Sequence, residues 1–224
     1  GEKCALLCDY YAANAARLLR DQRPDGAPTG GRVTFEPLGV VLAIMPWNFP
    51  YWQVFRAAIP AMAGGNAVLL KHAPNVPGCA VATERIFERA GFPPRGLQTL
   101  LISTAPVPAL IADPRIHGVT LTGSTRAGRE VAALAGAALK PAVLELGGSD
   151  PVLVLEDADL DRAAEAGARA RLLNSGQSCI CAKRFIVVRS VLRAFEERFT
   201  ARVQAARVGD PTDSATEVGP LARA

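Results

Sequence analysis

Cys179, in Gly176-Gln177-Ser178-Cys179, has surroundings that favour chemistry over packing. Glycine and a run of backbone N–H donors lower a thiol's pKa, and the thiolate is the nucleophile. Asn174, Gly176 and Gln177 predict a tight turn there, which a buried structural cysteine, the competing reading, does not need. Glu145 stands in the apolar run Val143-Leu144-Glu145-Leu146, ahead of Gly147-Gly148. A carboxylate in such a strand is costly unless paired or used. At the mouth of a sheet its pKa is expected to rise, which suits a general base; a satisfied ion pair is the alternative. In Pro46-Trp47-Asn48-Phe49-Pro50 two prolines fix the backbone around an asparagine. An amide held in one direction can donate to an oxyanion, although an ordinary turn cap fits the same letters.

Lys71 closes the apolar run Ala67–Leu70, and the chain has only four Lys against 21 Arg. A lysine so placed reads as chosen, able to reach a ribose or phosphate oxygen, with a solvated strand-end charge as the alternative. Thr122-Gly123-Ser124-Thr125-Arg126-Ala127-Gly128 follows the run Gly118–Leu121 and opens a helix. Backbone N–H groups at a helix N-terminus favour a phosphate. The segment is neither G-x-G-x-x-G nor a Walker A loop, and a helix N-cap explains it equally. His72 and His117 are the only histidines, with no Ser or Asp partner at catalytic spacing. With no Cys/His cluster either, a His-based triad and a metal site are not expected.

Elements that could position these residues alternate along the chain. Strands are predicted over Val40–Ile44, Ala67–Leu70, Gln98–Leu101, Gly118–Leu121, Ala142–Leu146, Val152–Val154 and Phe185–Val188. Helices are predicted over residues 2–20, Trp52–Met62, Gly78–Ala90, Val107–Ala112, Thr125–Ala135, Leu160–Leu172 and Val191–Ala206. Short, nearly all-apolar strands alternating with helices imply an α/β fold: a doubly wound, Rossmann-like parallel sheet covered on both faces. Gly147-Gly148 marks a junction, giving one domain over 1–146 and the first part of a second α/β domain over 147–224. Pro24, Asp25-Gly26, Pro28 and Gly30-Gly31 make 21–31 a loop.

Composition closes off other classes. Half of the 224 residues are apolar and the net charge is +4, which excludes intrinsic disorder. Apolar runs such as Val131–Leu139 fall short of the roughly 18 residues of a membrane span. The 25 basic and 21 acidic side chains are scattered, so no nucleic-acid stripe forms. Five cysteines (Cys4, Cys8, Cys79, Cys179, Cys181) are too few for a disulfide scaffold and fit a reducing cytoplasm. The opening segment reads as mid-helix and the last residues carry no closing signal, as expected of a piece of a longer protein.

Taken in order, PWNFP at 46–50, Lys71, TGS at 122–124, LELGG at 144–148 and GQSC at 176–179 resemble the aldehyde dehydrogenase superfamily. The resemblance implies Cys179 as nucleophile, Glu145 as the base activating the hydrolytic water, and Asn48 with the Cys179 N–H as oxyanion donors. It implies that Lys71, Gly123 and Ser124 contact NAD or NADP, with Trp47 lining the same cleft. It also implies that 1–146 is a nucleotide-binding domain and 147–224 the first part of a catalytic domain. Leu42–Arg56, Lys71–Gly78 and Leu146–Pro151 are similar to bacterial succinate-semialdehyde dehydrogenases, in which an Arg at the place of Arg56 pairs with the substrate carboxylate. The place of a second substrate arginine is taken by Leu173, for which Arg171 is a candidate substitute. Pro74 stands where NAD-preferring relatives carry a Glu, so nothing there repels a 2′-phosphate. Cys181 is a candidate redox partner of Cys179, as in a redox-switched relative, or a small apolar filler.

The resemblance further implies a homo-oligomeric parent, dimer or tetramer, with residues 21–38 in a subunit-bridging arm. Its partner is a small aldehyde, with no nucleic acid and no membrane. It also implies that later segments holding the nicotinamide ribose and assembling dimers lie outside these residues, leaving apolar surface exposed. A non-catalytic dinucleotide-binding fragment and a thiol esterase using Cys179 and Glu145 are the alternative functions.

Overall fold

The computed structural model describes residues 1–26 and 30–222, in two compact units, Gly1–Leu146 and Gly147–Ala224. The first unit opens with α1 (Glu2–Leu18), then β1 (Val40–Met45), α2 (Pro50–Ala63), β2 (Ala67–His72) and α3 (Pro77–Arg89). It continues through β3 (Leu97–Thr99), α4 (Val107–Ala112), β4 (Ile116–Thr122), α5 (Thr125–Ala137) and β5 (Ala142–Glu145). All five strands run parallel, in the order β3-β2-β1-β4-β5. This is the doubly wound, Rossmann-like sheet that the strand–helix alternation predicts.

Strand periodicity sorts the core into two layers. Ala43, Met45, Val68 and Leu70 pack with Val54, Phe55 and Ala58 of α2, Ala80 and Phe87 of α3 and Cys4 of α1. Their alternates Leu42 and Leu69 pack with Val119 and Leu121, with α4, and with Val131 and Ala135 of α5. Leu42, Leu70 and Val54 are fully buried, and truncating such a leucine to alanine costs about 2–5 kcal/mol. Proline opens α2 and α3, where its missing N–H costs nothing.

Element ends shift slightly from expectation. β2 runs beyond Leu70 because Lys71 and His72 stay in register with Ile44 and Met45. β3 stops early because its neighbour β2 offers it no pairing beyond Leu70–Thr99. Across the expected arm, Gln22 and Val33 exchange backbone hydrogen bonds of 2.9 and 2.8 Å. Residues 27–29 of that segment lie outside the described residues.

The second unit comprises β6 (Asp150–Val154), α6 (Leu160–Leu172), a 3-10 turn (Leu173–Gly176), β7 (Ala182–Val187) and α7 (Leu192–Gln204). β6 and β7 pair in parallel across the α6 crossover. Val154, Ala164 and Phe195 form its core, with Phe185 and Phe199 packed against them. Among the described residues no helix is long and apolar enough to cross a membrane, and no group of three His, Cys, Asp or Glu could hold a metal ion.

Candidate active site

Parallel strands present their carboxyl ends at one edge of the sheet. From β1 the chain runs outward to β2 and β3, then returns to β4 and β5 on the other side. Ligands of doubly wound sheets bind where the order reverses, here between β1 and β4. Pro46-Trp47-Asn48-Phe49 follows β1, Lys71 and His72 end β2, Gly123-Ser124 follows β4, and Glu145 ends β5. One sheet edge thus carries all the site residues expected in the first unit except Arg56, which lies on α2.

Arg56 reaches two of these strand ends. Its Nη1 lies 3.2 Å from Glu145 Oε1, and its Nη2 donates to Thr122 Oγ1 at 3.2 Å. The ion pair that was the alternative reading of Glu145 therefore forms. The Glu145 side chain is 50% exposed, because β5 is an edge strand with Ala142 and Val143 also exposed. The burial expected from its apolar neighbours in the sequence is not found, since half of the side chain is open to solvent. An ion pair this open contributes at most about 1 kcal/mol, so a competing carboxylate can exchange with it.

Lys71 is 3% exposed, and its Nζ donates to the His72 carbonyl at 3.1 Å. Burial pulls its ammonium below the usual lysine range. An ammonium has three donors, so a buried one with a single protein acceptor among the described residues suits ribose or phosphate oxygens. Ser124 caps α5, its Oγ accepting from the Ala127 N–H at 3.2 Å. The hydroxyl hydrogen stays available, so the N-cap and the phosphate reading are compatible. Trp47 and Asn48 are half-buried in the turn after β1. Gly128 must lack a side chain: a β-carbon there would meet Leu146 Cδ2 at 2.5 Å.

Within the second unit, Cys179 is half-buried between the 3-10 turn and β7. The turn expected ahead of it has three successive left-handed residues: Asn174 (φ 53°), Ser175 (φ 57°) and Gly176 (φ 75°). A left-handed residue other than glycine costs about 1–2 kcal/mol, and asparagine, whose short amide bonds locally, costs least of these. Two bonds offset this: Ser175 Oγ accepts from the distant Gly219 N–H at 3.1 Å, and the Gln177 N–H closes the local turn on the Asn174 carbonyl at 3.0 Å.

Lys183 supplies a third support. Its ammonium donates to the carbonyls of Gly148, Ser178 and Cys179 at 2.7, 2.9 and 3.1 Å. A β-carbon on Gly148 would sit 3.0 Å from that Cys179 oxygen, so the second glycine of the pair gives the Cys179 peptide its room. Sequence reasoning passed over Lys183, although the scarcity of lysine that marks Lys71 marks it equally.

Cys181 is 1% exposed. Arg171 Nη1 donates to its Sγ at 3.0 Å, and the thiol donates to the Arg171 carbonyl at 3.3 Å. Arg171, the candidate substitute for a second substrate arginine, is thus engaged with this sulfur. All five cysteines are free thiols. Burial pushes the Cys4 and Cys8 thiols up, which marks them as inert packing groups.

The sheet order and its polar strand ends define the Rossmann-like class of α/β proteins. The model of the aldehyde dehydrogenase family matches residues 2–224, and the chain belongs to that family. It is 52% identical over 223 residues to succinate-semialdehyde dehydrogenase (NADP+) 1 of Mycobacterium tuberculosis, covering 98% of this chain and 49% of that protein. Among solved structures it is similar to the succinic semialdehyde dehydrogenase of Streptococcus pyogenes in complex with NADP+. That match has a TM-score of 0.90 and 39% identity, over 96% of this chain and 47% of the other. The succinate-semialdehyde dehydrogenase of Burkholderia pseudomallei matches with a TM-score of 0.90 and 33% identity, over 97% and 46%. The chain spans about half the length of the curated relatives it matches.

Proposed function

We propose that the protein oxidises succinate semialdehyde to succinate with NADP+, using Cys179 as nucleophile. What carries this reading is the identity to relatives named for that reaction. The donor set at the sheet edge fits the cofactor: a buried lysine, Lys71, and the N-terminus of α5 with Gly123 and Ser124. Trp47 lines the same cleft. Pro74, exposed just past β2, brings no carboxylate against a 2′-phosphate. When bound, the cofactor supplies the hydride acceptor.

The chain's own residues supply the remaining steps. The Cys179 thiolate bonds to the aldehyde carbon, and the carbonyl π pair moves to oxygen. The Asn48 amide and the Cys179 N–H donate to that oxyanion, which a neutral amide stabilises without trapping it. Loss of hydride leaves a thioester on Cys179. Glu145 then takes a proton from water, the water oxygen adds to the thioester carbon, and the thiolate departs. Arg56 holds the distal carboxylate of the substrate by a charge-assisted hydrogen bond, exchanging it for Glu145. That exchange frees the base as the dicarboxylic substrate arrives.

The test is the absorbance of reduced cofactor when full-length protein meets succinate semialdehyde with NADP+ or NAD+. Cys179→Ser is expected to lose at least about a thousandfold in turnover, the scale of removing a covalent nucleophile. Undiminished oxidation by that variant overturns the mechanism.

A further inference from the structure

We propose that His72 is a positioning residue for the oxyanion donor, clamping the Pro46–Pro50 turn to the end of β2. The inference rests on the functional reading above only in giving Asn48 its role. His72 is 5% exposed and spends both ring nitrogens on backbone. Its Nδ1 accepts from the Ala73 N–H at 2.8 Å, which leaves the ring proton on Nε2. Nε2 therefore donates to the Pro50 carbonyl at 3.0 Å. The tautomer follows from the geometry, because a protonated Nδ1 could not accept from Ala73. Burial lowers the ring's pKa, which keeps it neutral and in this state.

The turn needs an external hold. Pro46 and Pro50 have no N–H, so only Trp47, Asn48 and Phe49 can donate from its backbone. β1 ends at Met45, and Met45 pairs with His72 in the sheet register. The histidine thus stands beside the point where the chain leaves β1, and it grips that chain again at Pro50, two residues past Asn48. Lys71 Nζ, donating to the His72 carbonyl, joins the clamp to the lysine expected at the cofactor. An oxyanion donor acts through its preset direction, so loosening the turn reduces turnover more than substrate binding.

Two near-isosteres separate the ring's bonds. His72→Asn keeps an acceptor for the Ala73 N–H but cannot reach Pro50. His72→Gln places an amide N–H close to the position of Nε2 and restores the Pro50 bond. In full-length protein, His72→Asn is expected to lower kcat about tenfold, with both KM values within about twofold. His72→Gln should return kcat to within about threefold of wild type. Amide exchange of Trp47, Asn48 and Phe49 should quicken about tenfold in His72→Asn and not in His72→Gln, since one net hydrogen bond is worth about that factor.

Wild-type exchange and kcat in His72→Asn overturn the clamp. So does a His72→Gln variant as impaired as His72→Asn, which would make the site one of ring packing alone. If wild-type protein oxidises no aldehyde with either cofactor, the functional reading falls, while the exchange comparison still decides whether His72 holds the turn.

Discussion

The turn at Pro46–Pro50 and the loop at Leu173–Cys181 carry the two groups proposed to meet the aldehyde carbonyl, and they are held in opposite ways. Two prolines restrict the turn covalently, and a buried neutral histidine, its ring set by the Ala73 N–H at 2.8 Å, holds the turn through one bond of 3.0 Å to the Pro50 carbonyl. The loop is bent through three left-handed residues and tied down by an exposed lysine on three carbonyls. One segment is at rest in its shape; the other is kept there against its own backbone preference. A donor amide that only receives charge gains from the first design. A nucleophile that must approach a carbon, carry an acyl group and release it can use the second, where the shape depends on removable contacts.

The largest expected break in this contrast comes at Gly176. Its φ of +75° penalises any side chain, and a β-carbon there would lie 2.6 Å from Arg171 Nη1. Gly176→Ala should therefore destabilise the protein by about 1–2 kcal/mol. It should also push the guanidinium off Cys181 and speed alkylation of that buried thiol. Urea denaturation and mass spectrometry of iodoacetamide-treated protein measure both effects. Pro50→Ala is the counterpart in the turn: it frees one φ, costs about 0.4–1 kcal/mol, and leaves the carbonyl that His72 uses. Equal losses in the two variants would dissolve the distinction drawn here.

Lys183 comes next in size. Its three donors match three carbonyls around a compact ammonium, a task that a planar guanidinium fits poorly. Lys183→Met should cut turnover about fivefold by letting the Cys179 peptide drift. Amide exchange through Ser178–Ala182 should rise with it, and Lys183→Arg should fall between the methionine variant and wild type. Unchanged exchange in Lys183→Met would show that the three contacts are incidental to the loop.

How legible this was depends on where each partner lies. The strands of the larger sheet could be read because both faces are covered, so Val40–Met45 and Ala67–Leu70 are nearly unbroken apolar runs. The Arg56–Glu145 pair could not, since only the order of strands brings an α2 side chain over the end of β5. His72 was set aside because it lacks a Ser or Asp partner; its partners are backbone atoms, which leave no mark in a sequence. The left-handed run was half visible: Gly176 announces it and Asn174 closes a local turn with Gln177, but Ser175 is held there by a tertiary bond from Gly219. Lysine scarcity proved more informative than the use first made of it. Lys3 lies over the Trp52 ring, Lys140 donates to the Ile111 carbonyl at 2.6 Å and to that of Asp113, and Lys71 and Lys183 hold the carbonyls already described. In a chain that otherwise uses arginine, each lysine meets a defined acceptor.

The smallest expected effect separates the two regions by pH. Burial, with the Lys71 charge adding to it, lowers the His72 pKa, while the carbonyl acceptors of Pro50 and Met45 oppose the shift. In the unfolded chain the ring returns to about 6.5, so below that value the unfolded state takes up the proton first. The stability contributed by the neutral ring is therefore complete above about pH 6.5 and is lost as pH falls through the lower folded value. Protonating Nδ1 also breaks the bond from Ala73 that sets the ring's orientation at the end of β2, so acid should loosen the ring's grip on the turn in particular. Between pH 7 and 5.5, protection factors corrected for intrinsic exchange should fall at Trp47, Asn48 and Phe49 before they fall at Ser178–Ala182. The Leu173–Cys181 loop contains no histidine, so it has no matching trigger. His72→Gln should remove the difference, and a wild-type protein that loosens in both segments together would show that acid acts on the whole fold and not through this ring.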